Sequence, residues 1–163
     1  MNEYTKRKPN RLKDYDYSQN GAYFITICTK DRSKILGAIR DAGEGVQEIP
    51  SVKLSEFGEI VKGFIESIPD TYSNVDVPIY TIMPDHIHLI IMLDGEKACG
   101  TPRAASPTKM LIPKIVNSLK GLSSKKSCRS LWQRSYSDHV IRNLADFCRI
   151  EEYIMTNPLK CPP

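Results

Sequence analysis

The segment His86-Ile87-His88-Leu89-Ile90-Ile91-Met92-Leu93 constrains this chain more than any other. Its branched, apolar content predicts a strand, and one apolar enough to be central. Alternate side chains of a strand point to opposite faces. Ile87, Leu89 and Ile91 therefore share one face, which must pack against helices, while His86 and His88 look out together from the other. Val75 to Met83 reads as a second strand, and Pro84-Asp85 as the turn between them, so the pair forms an antiparallel hairpin.

The remaining elements follow from the same patterning. Gly21 opens Ala22-Tyr23-Phe24-Ile25-Thr26-Ile27-Cys28-Thr29, a strand by its β-branched and aromatic content. Residues 35–54 form a hairpin around Gly43 and Gly45, with Leu36–Ile39 and Val52–Leu54 as weak strands. Phe57, Ile60, Val61, Phe64, Ile65 and Ile68 recur at helical spacing behind a Ser55 N-cap, and Pro69 marks the end. Residues 94–109, rich in Gly, Pro and Ser, read as a loop. A second helix buries Ile112, Ile115, Val116 and Leu119. Leu131 to Ile141 reads as the last strand, and Asn143 with Asp146 opens a final helix expected to stop near Asn157, before Pro158. Strand-helix-strand-strand-helix-strand is the ferredoxin-like arrangement. The expectation is an α+β fold with an antiparallel sheet and helices packed on one face. Residues 1–20 form a basic N-terminal arm and residues 21–163 a single domain, in keeping with 163 residues.

Charge is polarised along the chain. Residues 1–13 and 101–142 are strongly basic, whereas residues 41–76 are acidic, so one side of the molecule can attract a polyanion. No apolar run is long enough to cross a membrane, and the N-terminus lacks a signal-peptide pattern. The five cysteines have no CxxC or CxxxC spacing, which argues for reduced thiols in a cytoplasmic protein and against a cysteine zinc site.

Two imidazoles on one rigid strand make half of a metal site, although two surface histidines by chance fit the triplet alone. On the final helix Tyr153 and Asn157 stand one turn apart. Tyr153 borders the apolar stripe of Phe147, Ile150 and Ile154, so it reads either as half-buried structure or as a nucleophile toward a phosphodiester. A divalent ion on His86 and His88 could polarise that phosphate, with the Asn157 amide oxygen as a third ligand if the helix crosses the histidine strand. Tyr136 is a competing nucleophile, read preferentially as packing or base stacking. His139 fits either a phosphate contact or a place in the sheet, and Tyr15 and Tyr17 fit either base stacking or docking of the arm.

Four segments in order carry a resemblance: Asn10-Arg11-Leu12-Lys13-Asp14-Tyr15-Asp16-Tyr17 leading to Gly21-Ala22-Tyr23-Phe24-Ile25-Thr26; Met83-Pro84-Asp85-His86-Ile87-His88-Leu89; Leu131 to Arg142; and Glu152-Tyr153-Ile154-Met155-Thr156-Asn157-Pro158. Together they resemble the REP-associated tyrosine transposases, single-tyrosine members of the HUH (histidine-hydrophobe-histidine) class. The resemblance implies an HUH endonuclease fold and nicking and rejoining of single-stranded DNA, often beside hairpins, through a 5′-phosphotyrosine. It implies Tyr153 as nucleophile and His86, His88 and Asn157 as ligands of Mg²⁺ or Mn²⁺. Arg11, Lys13, Lys120, Arg134 and Arg142 are the candidate DNA contacts, drawn from the basic segments. Three alternatives stay open: a domesticated or inactive hairpin-binding protein of the same fold, a replication-initiator or relaxase-like nuclease, and a metal hydrolase using the HxH site. A homodimer, with Tyr153 serving either subunit, also stays open.

Overall fold

The structure, a computed structural model, describes residues 15–17, 19–40, 51–94 and 110–160. Six strands and four α-helices follow in order: β1 (Gly21–Cys28), β2 (Gly37–Arg40), β3 (Ser51–Leu54), α1 (Glu56–Glu66), the single turn α2 (Ile68–Thr71), β4 (Val75–Ile82), β5 (His86–Leu93), α3 (Leu111–Lys126), β6 (Ser137–Ile141) and α4 (Leu144–Lys160). The main sheet has the order β4-β5-β1-β6 and is antiparallel throughout. With β2–β3 set aside as a separate hairpin, this is the expected ferredoxin-like topology. The turn of that hairpin, with Gly43 and Gly45, lies outside the described residues, as do residues 1–14 of the basic arm and 95–109 of the loop.

Alternation along β1 and β5 gives the sheet two apolar faces of unequal size. On the larger side Tyr23, Ile25 and Ile27 meet Ile87, Leu89 and Ile91, and the helices α1 and α3 cover them with Val61, Ile65, Ile112, Ile115, Val116 and Leu119. On the other side Ile90, Ile141, Ile150 and Ile154 form a small cluster beneath α4. The helices therefore do not all share one face. α4 crosses the imidazole-bearing face because its stripe of Phe147, Ile150 and Ile154 needs an apolar seat, and Ala22, Phe24, Ile79 and Ile90 supply one.

Local interactions explain the element ends. Ser55 caps α1, its Oγ accepting from the Gly58 N–H at 3.2 Å. The backbone of α1 also sits directly on the β2 approach: a Cβ on Gly58 would lie 2.1 Å from the Leu36 carbonyl oxygen. Asn143 caps α4, its Oδ1 accepting from the Asp146 N–H at 2.9 Å. Pro158 does not stop α4, which ends at Lys160. So close to the end, its ring costs one intrahelical hydrogen bond and interrupts nothing downstream.

The last strand is shorter than the sequence suggests. Only Ser137–Ile141 pairs with β1, while Trp132 makes a single bridge to Thr29. Leu131 and Trp132 instead turn into the core, where the indole N–H donates to the buried Ser123 Oγ of α3 at 2.8 Å. Tyr136 is buried in the same core, as packing. Tyr15 meets Tyr17 and Tyr23 edge-to-face and Tyr17 lies tilted against Tyr23, which assigns both to docking of the arm's end on the sheet.

Candidate active site

Register builds the site. His88 pairs with Thr26 on one side and with Thr81 on the other, and Thr26 pairs with Ser137, so these four side chains form one row across the sheet. The neighbouring row is Ile79, Ile90, Phe24 and His139. α4 lies over both rows. A cavity of about 520 Å³ opens between helix and sheet, lined by Phe24, Thr26, Arg32, His86, His88, Ser137, Tyr153 and Asn157.

The two imidazoles meet at a ring separation of 4.6 Å. His86 Nδ1 donates to Asp85 Oδ1 at 2.6 Å, and the other carboxylate oxygen accepts from Arg32 Nη1 at 3.3 Å. Thr29, itself buried, fixes both partners: its N–H and its hydroxyl donate to the Asp85 carbonyl, and the hydroxyl also reaches the Ser33 carbonyl. Between those anchors Asp31 and Arg32 adopt left-handed backbone conformations, with φ of 55° and 54°. That is a conformation an arginine holds only under constraint. It delivers the guanidinium to the cavity wall.

His88 is 4% exposed. Its Nδ1 is 2.8 Å from Thr26 Oγ1, and its Nε2 is buried without a hydrogen-bond partner. Burial, reinforced by the neighbouring His86 and Arg32, lowers its pKa to about 3, so the ring is neutral at physiological pH. A buried orphan nitrogen costs free energy unless something occupies it. With the proton on Nδ1, donated to Thr26, Nε2 offers its lone pair to a cation; the Asp85 carboxylate orients His86 in the same way. Each histidine thus has the second partner typical of metal-ligating imidazoles.

Tyr153 stands on α4 at the rim, 40% exposed, its ring edge-on to His88 at 5.3 Å and to Phe24 at 6.2 Å between centroids. Asn157, one turn further, is 6% exposed and lines the same cavity. Among the described residues no group of three His, Cys, Asp or Glu could hold a metal. The Asn157 carboxamide is an oxygen donor that lines the same cavity as this histidine pair. The residues fit a divalent cation bound by two imidazoles and an amide oxygen.

The candidate DNA contacts fare differently. Arg134 and Arg142 are exposed. Lys120 donates to the carbonyl oxygens of Gln133 at 2.7 Å and Arg134 at 3.0 Å, so two of its donors tie α3 to the segment before β6, which suits a tether better than a phosphate contact. Arg11 and Lys13 lie outside the described residues. Sequence reasoning missed Arg32, Thr26 and Asp85. Thr26 and Asp85 carried a signal, one in the β1 alternation and one beside the triplet; Arg32 carried none.

This fold and this row of residues define an HUH endonuclease fold with a tyrosine-bearing helix across the histidine strand. No family model matches the chain. It is 33% identical to an uncharacterized protein of Haemophilus influenzae, over 94% of this chain and 88% of that one. It is 28% identical to a second protein of that organism, which carries the name of a REP-associated tyrosine transposase, over 89% of this chain and 74% of the other. Among solved structures, a REP-associated tyrosine transposase bound to a REP hairpin superposes with a TM-score of 0.62 and 18% identity, covering 92% of this chain and 73% of that one. The chain thus resembles the REP-associated tyrosine transposases in sequence and shares the fold of one of them.

Proposed function

We propose that this protein nicks and rejoins single-stranded DNA beside a hairpin, with Tyr153 as nucleophile and a divalent cation on His86, His88 and Asn157. One observation carries the reading: the partnerless Nε2 of His88, the ring of His86, the Asn157 side chain and Tyr153 border a single cavity. The hairpin substrate is taken from the structural relative, which is bound to one.

Nε2 of each histidine and the amide oxygen of Asn157 would hold the ion, and that donor set suits Mn²⁺ or Mg²⁺. When bound, such an ion polarises a phosphodiester and offsets the charge that develops on it. The protein's own groups do the rest. Asp85 and Thr26 keep the two rings in place, and Arg32 adds a cation at the cavity wall. The Tyr153 oxygen attacks phosphorus in line and its proton passes to solvent. The bond from phosphorus to the 3′ oxygen breaks, and that oxygen takes up a proton. The products are a 5′-phosphotyrosine and a free 3′-hydroxyl. Attack by a 3′-hydroxyl on the phosphotyrosine reverses the step without ATP.

Incubation of end-labelled single-stranded hairpin DNA with Mg²⁺ or Mn²⁺ tests this on a denaturing gel. A covalent adduct should form with the wild-type protein and with Tyr136→Phe, and be absent in Tyr153→Phe. EDTA and His86→Ala should each abolish it while much DNA binding remains. An adduct that survives Tyr153→Phe, or cutting without metal, overturns the assignment.

A further inference from the structure

A second hollow lies against the first. Phe24, His139, Arg149, Ile150 and Tyr153 enclose about 310 Å³. Phe24 and Tyr153 also line the histidine cavity. The phenol of Tyr153 is therefore a ridge, with the imidazole pair on one side and this hollow on the other.

The walls of the hollow differ in chemistry from those of its neighbour. Phe24 and His139 are direct cross-strand partners in register and form the sheet side; Ile150 and Tyr153 form the helix side. Aromatic and apolar surfaces thus line a space at the small end of ligand cavities, about 300–1,000 Å³. Such a slot suits one flat, largely apolar ring. The polar groups are at its edge. Asp146, capped into the first turn of α4, accepts from His139 Nε2 at 2.7 Å with one oxygen and from Arg149 Nη2 with the other. The carboxylate offsets the charge of Arg149, so the hollow is a poor anion site. It braces both side chains over the opening, while Arg149 remains 73% exposed and keeps further N–H donors for a partner.

We propose that this hollow receives one unpaired base of the DNA strand, that of a nucleotide flanking the phosphate at Tyr153. The inference rests on the reading of Tyr153 as nucleophile, because a strand whose phosphate enters the histidine cavity and continues over the phenol ridge meets this hollow next. A base stacked on the face of Phe24 or Tyr153, whose rings meet each other edge-on at 6.2 Å, with Arg149 reaching its edge, would set the position of the phosphate along the strand. Stacking of this kind tolerates any base.

The test separates base recognition from charge, and binding from cleavage. Binding of a fluorescent thymidine oligonucleotide and of an abasic strand of equal length is measured by anisotropy in EDTA, where no chemistry is needed. The wild-type protein should prefer the base-bearing strand by roughly 5- to 100-fold. In Arg149→Ala and His139→Ala, both exposed substitutions, that preference should shrink severalfold. Equal weakening of both strands would mean that Arg149 contributes only charge, and would overturn the proposal. So would an unchanged ratio, or the lack of any preference in the wild type. If the preference behaves as expected but no protein–DNA adduct ever forms with metal, the base site stands and the nucleophile assignment falls.

Discussion

At the scale of single residues, His88 concentrates the chemistry. Its position on an apolar strand places it under α4, and burial there makes protonation costly. An unfolded imidazole titrates near pH 6.5 and the folded one at about 3, so between those values the unfolded state binds the extra proton. Stability is therefore complete above pH 6.5 and drains away as the pH falls toward 3, at up to about 1.4 kcal/mol per pH unit. In metal-free buffer, His88→Asn should flatten this part of the pH profile of thermal melting, because the substitute has no proton to gain. A profile equally steep in both proteins would show that His88 is not the titrating group. The histidine pair was legible in the sequence because strand alternation alone puts His86 and His88 on one face. Arg32 was not. Its arrival depends on two left-handed residues held by Thr29 and on the Asp85 turn, contacts between segments more than 50 positions apart.

At the scale of elements, α1 shows how packing decides what a residue type means. Gly58 and Gly63 occupy the same helix and look alike in sequence. The first lies against the Leu36 carbonyl, whereas nothing lies within 4 Å of a Cβ on the second. Gly63→Ala should raise stability by up to about 1 kcal/mol, the gain in helix propensity. Gly58→Ala should lower it despite the same gain, since α1 must move away from β2. Urea unfolding followed by the fluorescence of Trp132 reads both changes, and equal shifts of one sign would refute the close approach. The same distinction separates what periodicity revealed from what it hid. The stripes of α1, α3 and α4 and the alternation in β1 and β5 were plain. The shortening of β6 was hidden, because Leu131 and Trp132 are as strand-like as Val140 and Ile141. Leu131 and Trp132 pair only at an isolated bridge just beyond β1, with the Trp132 indole held by the Ser123 hydroxyl in the core. The side of the sheet taken by α4 was hidden as well, for a helix stripe reports that a face is buried and not which face receives it.

At the scale of the whole molecule, the sheet is firmly packed on one side and only partly covered on the other. α1 and α3 close the first face with the large core, while α4 roofs the second over a small cluster and leaves two hollows beside it. This places the larger core behind the histidine strand and leaves the face with His86, His88 and Tyr153 only partly covered. It also assembles the site within one chain: the Tyr153 ring is 5.3 Å from the His88 ring of the same molecule. A subunit of this architecture should act with its own tyrosine. Tyr153→Phe and His86→Ala, each inactive alone, should accordingly stay inactive when co-expressed and purified together, because neither chain holds both halves of the site. If α4 instead reached across to a second subunit, some mixed pairs would join an intact Tyr153 to an intact histidine pair and adduct would return. The amount of adduct on a denaturing gel, with the nicking subunit identified by a size tag, decides between the two, and recovery in the mixture would rule out a site built within one chain.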